Sequence, residues 1–209
     1  MKNDHVRRDT RGATSSLAAV MASVCALVAG CGSAQPTRYY TLMPAAAAAE
    51  PAASITARLD WNVGPVVVPQ QVDQPQWVVR AADGSLVVLE NERWIAPLGD
   101  EIRGAVVERL TRTFGPPIAG PSPEGSPAWR IRIDVQRFDL LPNREARLEA
   151  DWSLRGEGTA LRCHATFSQP VPSRDFGALA RAQQQAVARL ADAIGKALEM
   201  SGKGAAAGC

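Results

Sequence analysis

Histidine and cysteine are scarce in this chain, with two His and four Cys in 209 residues. Neither type clusters, since His5 and His164 stand far apart and no Cys-x-x-Cys pair occurs. A zinc-type site gathers several such ligands at short spacing, so no metal set is visible. Also missing is a Gly-x-Ser-x-Gly elbow, the strained turn that presents a nucleophilic serine. His164 falls between Cys163 and Ala165 on the wet side of a strand, without the nucleophile and orienting carboxylate that a triad needs. It is read as a surface histidine. Gly156-Glu157-Gly158 is followed by neither a helix nor a Lys-Ser/Thr pair, which excludes a phosphate-cradling loop and leaves a hairpin turn. Glu90 with Glu92, and Glu149 with Asp151, share single strand faces where sheets place solvated charge. The expectation is a non-enzyme with no catalytic residues, no metal and no cofactor.

Long apolar runs are absent too. The longest, residues 17–28, falls short of the roughly 20 apolar residues that span a bilayer, so it is no membrane anchor. What it does form is the core of a secretory signal, preceded by Lys2, Arg7, Arg8 and Arg11. It closes on Leu27-Val28-Ala29-Gly30-Cys31, a lipobox. Small side chains at Ala29 and Gly30 let a signal peptidase seat the backbone closely, so cleavage is expected between Gly30 and Cys31. The Cys31 thiol would accept a diacylglyceryl thioether, a covalent lipid in place of a cofactor. Two or more acyl chains at about 0.8 kcal/mol per buried CH2 give stable anchoring where one is marginal. Gly32 and Ser33, with no Asp at that position, resemble lipoproteins sent to the outer membrane. The expected location is its periplasmic face.

Charge of one sign is not in excess once the signal is removed. The first 30 residues hold four of the 23 Lys plus Arg and two of the 21 Asp plus Glu, so the remainder is balanced. A neutral domain has no general reason to bind nucleic acid, where phosphate neutralisation dominates affinity.

The chain divides into residues 1–30, a lipoprotein signal peptide; 31–54, a lipidated tether with a short edge strand at residues 38–42; 55–201, one domain; and 202–209, a flexible tail. The alanine-rich run at 45–53 is bracketed by Pro44 and Pro51 and is too short for an isolated helix. Residues 59–68 read as a central strand interrupted near Gly64-Pro65. Two β-rich runs at 77–80 and 86–89 flank Asp83-Gly84, a hairpin signal. Leu98, Ile102, Val106, Leu110 and Phe114 recur every four residues, with Asp100, Glu101, Arg103, Glu108 and Arg112 on other faces, a one-sided helix stopped by Gly115-Pro116-Pro117. After a Pro-, Gly- and Ser-rich loop over 115–127, three alternating segments (131–135, 146–155, 161–167) form an antiparallel meander with one wet face. A last helix runs from the N-cap Asp175 to about Met200, with Gly202 as its stop. The fold class is α+β: a two-layer sandwich, a mostly antiparallel sheet with two main amphipathic helices on one face.

Cys31 followed by Arg38-Tyr39-Tyr40-Thr41-Leu42, Gly64-Pro65-Val66-Val67-Val68-Pro69, Asp73-Gln74-Pro75-Gln76, Val78-Val79-Arg80 and Arg93-Trp94-Ile95-Ala96-Pro97-Leu98, in that order, resembles the PqiC/YmbA family, the ABC-type transport auxiliary lipoproteins. The resemblance covers nearly all the chain after Cys31. It implies a non-catalytic outer-membrane component of a lipid-trafficking system, partnered by an MCE-domain protein and its inner-membrane transporter components. The adaptor expected from this self-associates as a homo-oligomer. A second reading is a periplasmic lipid carrier with its own apolar cavity.

Two residue-level questions stay open in the sequence. Cys163 and Cys209 remain in an oxidising compartment and either form a disulfide or stay apart. Trp77, Arg80 and Trp94 are candidate partner contacts, because Trp is enriched in binding hot spots; the tryptophans, with Trp129, equally fit a core.

Overall fold

The computed structural model describes residues 35–44, 59–118, 128–156, 158–205 and 208–209. The signal segment, Gly30, Cys31, the run at 45–53 and residues 119–127 of the loop lie outside them. Residues Thr37–Cys209 make up one unit.

Its elements, in order, are β1 (Arg38–Tyr40), β2 (Trp61–Val63), a 3-10 turn (Gln70–Val72), β3 (Gln76–Arg80), β4 (Leu86–Trp94), α1 (Leu98–Phe114), β5 (Trp129–Leu141), β6 (Glu145–Gly156), β7 (Thr159–Pro170) and α2 (Phe176–Gly202). The strands form one sheet in the order β1-β4-β3-β5-β6-β7, with β2 also on β5. The long ladders β5–β6 and β6–β7 and the β3–β4 hairpin are antiparallel, whereas the short pairings β1–β4, β2–β5 and β3–β5 are parallel. This is the α+β architecture that the periodicities predict.

Alternation sets the faces. Ile131, Ile133 and Val135 of β5, with Leu148, Ala150, Trp152 and Leu154 of β6, are buried, and Arg130, Arg132 and Asp134 are exposed. Two helices close the buried face: α1 lies on α2, and α2 on β6 and β7. The helices approach closely at Gly195, where a Cβ would sit 3.3 Å from Leu110 Cδ2. All the apolar stripes meet in one cluster.

The hairpin turn forms as Asp83-Gly84 requires. Gly84 sits at φ 88°, a left-handed conformation that glycine adopts without steric cost. Asp83 Oδ1 accepts from Ser85 N at 2.9 Å and Ser85 Oγ at 2.7 Å. At the start of α2, the Asp175 carboxylate accepts from Gly177 N and Ala178 N, satisfying two donors that the first turn leaves unpaired.

Several expectations are corrected. The interruption expected near Gly64-Pro65 is there, with β2 ending at Val63, but no strand resumes beyond it: Val67 makes a single bridge to Asp134 while 58% exposed. The reason is Pro65, which has no N–H to give a ladder. Glu101 and Glu92, assigned by pattern to solvent, are buried at 6% and 7% exposure. Gly202 lies inside the final turn of α2, and the left-handed residue beyond it is Gly204 at φ 66°.

Candidate functional site

The first strand of the unit is held far more firmly than its three residues suggest. β1 runs parallel to β4, with Arg38, Tyr39 and Tyr40 opposite Glu92, Arg93 and Trp94. Immediately after it, Leu42 is 1% exposed and joins the core. The Glu101 carboxylate accepts from Thr41 Oγ1 at 2.7 Å and from Leu42 N at 2.7 Å. Gln184 of α2 donates its amide to Thr41 O at 2.9 Å. Residues 38–43 are therefore a strap fastened to β4, α1 and α2 at once. Glu101 stands in the first turn of α1 with Asp100, where unpaired N–H groups and the helix dipole favour a negative charge. That field, with two donated hydrogen bonds, compensates its burial.

Under the strap lies an aromatic stack. Ring centroids are 4.3 Å apart for Tyr40 and Trp77, 4.8 Å for Trp77 and Trp94, 5.9 Å for Trp94 and Phe138, and 6.2 Å for Trp77 and Phe176. Burial, then the neighbouring Glu92 carboxylate, push the Tyr40 phenol up to about 12, because both disfavour a phenolate. Glu92 also faces Arg38 at 3.6 Å.

The candidate contact residues belong to this interior. Trp77 is fully buried and Trp94 is 4% exposed, so neither presents a surface to a partner; burying both indoles within the stack is what their size favours. Arg80 is turned inward as well. Its Nε and Nη2 lie 3.1 and 3.0 Å from Asp139 Oδ1, and its Nη1 donates to Gly84 O at 3.3 Å. Asp139, 5% exposed, also receives Arg137 Nη1 at 3.5 Å. Arg80 thus neutralises a buried carboxylate instead of reaching outward.

At the other end of the sheet, Cys163 and Cys209 are disulfide-bonded with Cα atoms 5.4 Å apart. His164 is exposed on the open face, its Nδ1 2.8 Å from Asp151 Oδ1 and its Nε2 3.6 Å from Glu149 Oε1. Among the described residues no group of His, Cys, Asp or Glu is placed to hold a metal ion, and no helix is long and apolar enough to cross a membrane.

The open face also carries a groove of about 840 Å³ between the Gly64–Val67 segment and strands β5 to β7. It lies outside the sheet, not between sheet and helices, and its walls carry charged side chains.

Pattern reasoning missed Glu101, Gln184 and Asp139. A carboxylate set between Asp100 and Arg103 in the first turn of a helix looks solvated until the strap that covers it is known.

Comparison with known proteins places these features. The family model described as "ABC-type transport auxiliary lipoprotein component" matches residues 40–195, from the strap to α2. The chain is 25% identical over 136 residues to the intermembrane transport lipoprotein PqiC of Escherichia coli (strain K12), covering 65% of this chain and 72% of that protein. The PqiC of Shigella flexneri gives the same figures. Two crystal structures share the fold. One, of an uncharacterized protein, has a TM-score of 0.62 at 18% identity over 78% of this chain and 99% of its own. The other, from Xanthomonas campestris, has a TM-score of 0.57 at 21% identity over 80% and 95%.

Proposed function

Because this chain belongs to the ABC-type transport auxiliary lipoprotein components, we propose that it is the outer-membrane-anchored, non-catalytic docking subunit of an MCE-type intermembrane lipid transport system. The anchor is the covalent lipid on Cys31 after cleavage behind Gly30. The partner is an MCE-domain protein with its inner-membrane transporter components.

The observation that carries this reading is the strap. Only seven positions separate Cys31 from Arg38, at most about 25 Å of extended chain. Directly behind that tether, residues 38–43 are fixed to a strand and both helices. A protein that bears on an anchor needs such an attachment, whereas an enzyme would need a nucleophile beside its base. Asp151 does hold His164 Nδ1 as an orienting carboxylate would, contrary to the sequence expectation, but His164 Nε2 faces the Glu149 carboxylate instead of a hydroxyl or thiol.

Self-association is part of the proposal. β1 covers only Glu92–Trp94 of β4, which leaves the same edge of Leu86–Asn91 without a strand among the described residues. Leu86, Val87 and Val88 are 41%, 44% and 42% exposed. A free apolar strand edge is a template for another strand, and copies of the chain meeting there would build a ring or cuff.

The test is crosslinking of the tagged protein in intact cells, followed by detergent extraction, affinity purification and mass spectrometry, beside Cys31→Ala. An MCE-domain protein is expected, and its recovery should fall sharply in the unlipidated variant. Stoichiometric lipid with no such protein would replace this reading with a lipid carrier.

A further inference from the structure

We propose that the open face of the sheet binds the phosphodiester headgroup of an anionic phospholipid, in the groove beside β5. The inference rests on the membrane-anchored reading above for the source of its ligand, and on the charge distribution of the face for its chemistry.

That face is divided. Toward the β5–β6 hairpin its charges are matched: Arg137 Nε lies 3.4 Å from Glu149 Oε2, and Arg147 Nη2 lies 2.6 Å from Glu145 Oε1. Toward the other end they are not. Arg130, Arg132, Arg155 and Arg162 are all exposed, and among the described residues none has an ion pair. The two carboxylates beside them are engaged, Asp151 with His164 Nδ1 at 2.8 Å and Asp134 with Gln136 Nε2 at 3.0 Å. One sheet face thus follows two rules, and in the unmatched half the groove carries three arginines, Arg130, Arg132 and Arg162, against Asp134 and Asp151.

Register turns the bare arginines into a site. Arg132 pairs with Ser153, which pairs with Arg162, so two guanidinium side chains flank a small hydroxyl in one row across β5, β6 and β7. Strands about 4.8 Å apart put those two arginines roughly 10 Å apart at the backbone. Arg130 and Arg155 form the adjacent row. A tetrahedral phosphate over Ser153 offers acceptor oxygens to both sides, and Arg–phosphate pairing is charge-assisted and often bidentate. Arg130, Arg132 and Arg162 line the groove together with Pro65 and the exposed Val67. That apolar wall suits the glycerol and first acyl carbons of a lipid, and a bare inorganic anion makes no use of it.

The experiment uses the full acylated chain in non-ionic detergent, titrated calorimetrically with dihexanoyl phosphatidylglycerol, dihexanoyl phosphatidylcholine, inorganic phosphate and hexaglutamate. Saturable binding of the phosphatidylglycerol is expected, weakening as salt is raised. Arg132→Gln/Arg162→Gln should weaken it at least about tenfold, and Ser153→Asp, which puts a negative charge between the two arginines, should abolish it. Arg132 and Arg162 are exposed and Ser153 is half-buried between them, and circular dichroism checks that the fold persists. Equal affinity in the double variant overturns the site. Equal or tighter binding of inorganic phosphate overturns the lipid source, and tighter binding of hexaglutamate replaces it with an acidic protein segment. Cellular crosslinking reads anchoring and partner capture separately, so failure of the titration with capture intact sinks this inference alone.

Discussion

Glu101 occupies a position that polarity assigns to water, and the strap is what encloses it. Removing its carboxylate strands two donors, Thr41 Oγ1 and Leu42 N, the second of them buried. Leaving a buried donor unsatisfied costs about 1–3 kcal/mol. Glu101→Ala is accordingly expected to lower the urea unfolding free energy by that amount and to accelerate amide hydrogen exchange at Leu42, while Glu101→Gln, which keeps an acceptor oxygen, loses less. Exchange at Leu42 unchanged in the alanine variant would mean that the strap is held by packing alone. Residue-level roles of this kind were the least legible part of the sequence. Asp139 and Arg80 are 59 positions apart, and their pairing depends on β3 meeting β5 side by side in parallel, which neither segment announces. The burial of Trp77 and Trp94 had a sequence signal, since a core needs large apolar bodies, but composition alone could not choose core over surface.

β4 shows how an element carries two environments along its length. Near its C-terminus Arg93 pairs on both sides, with β1 and β3, while Leu86–Leu89 pairs on one side only, with β3. Lysine on an edge strand discourages pairing with another chain. Val88→Lys, at a position 42% exposed, is therefore expected to leave the melting temperature within a few degrees of the parent and to shift the sedimentation profile toward monomer. An unchanged profile would move self-association elsewhere. Elements with a complete one-face pattern were readable from the sequence: α1, α2 and the strands β5 to β7 bury the stripes that their period predicts, because one side is covered and the other wet. The β1 edge strand and the β3–β4 hairpin were legible too, from β-favouring residues and the Asp83-Gly84 turn, but the stretch that follows β2 was not. In residues 59–68 the apolar run is interrupted by Pro65, and whether three consecutive valines are covered depends on distant β5. The parallel pairings are likewise set by crossover paths and leave no local signature.

At the scale of the whole molecule, the Cys163–Cys209 bond ties the last residues of the chain to β7 across a separation of 46 residues. On the chain-entropy model, closing a loop of that length restricts the unfolded chain by about 4 kcal/mol. Cys209→Ser is expected to lose stability of roughly that size in denaturant titrations, and its unfolding midpoint should no longer respond to reductant. A variant as stable as the oxidised parent would show that the unfolded state gains nothing from release of the tail. With this closure at one end and the strap at the other, both ends of the unit Thr37–Cys209 are secured to its sheet. The parallel course of β1 along β4 has a mechanical meaning. A pull on the tether along the strand axis strains the β1 hydrogen bonds together, in shear, instead of unzipping them one after another. Behind them, the fastenings of Thr41 and Leu42 to Glu101 and Gln184 take up load on the two helices only once the β1 ladder has parted.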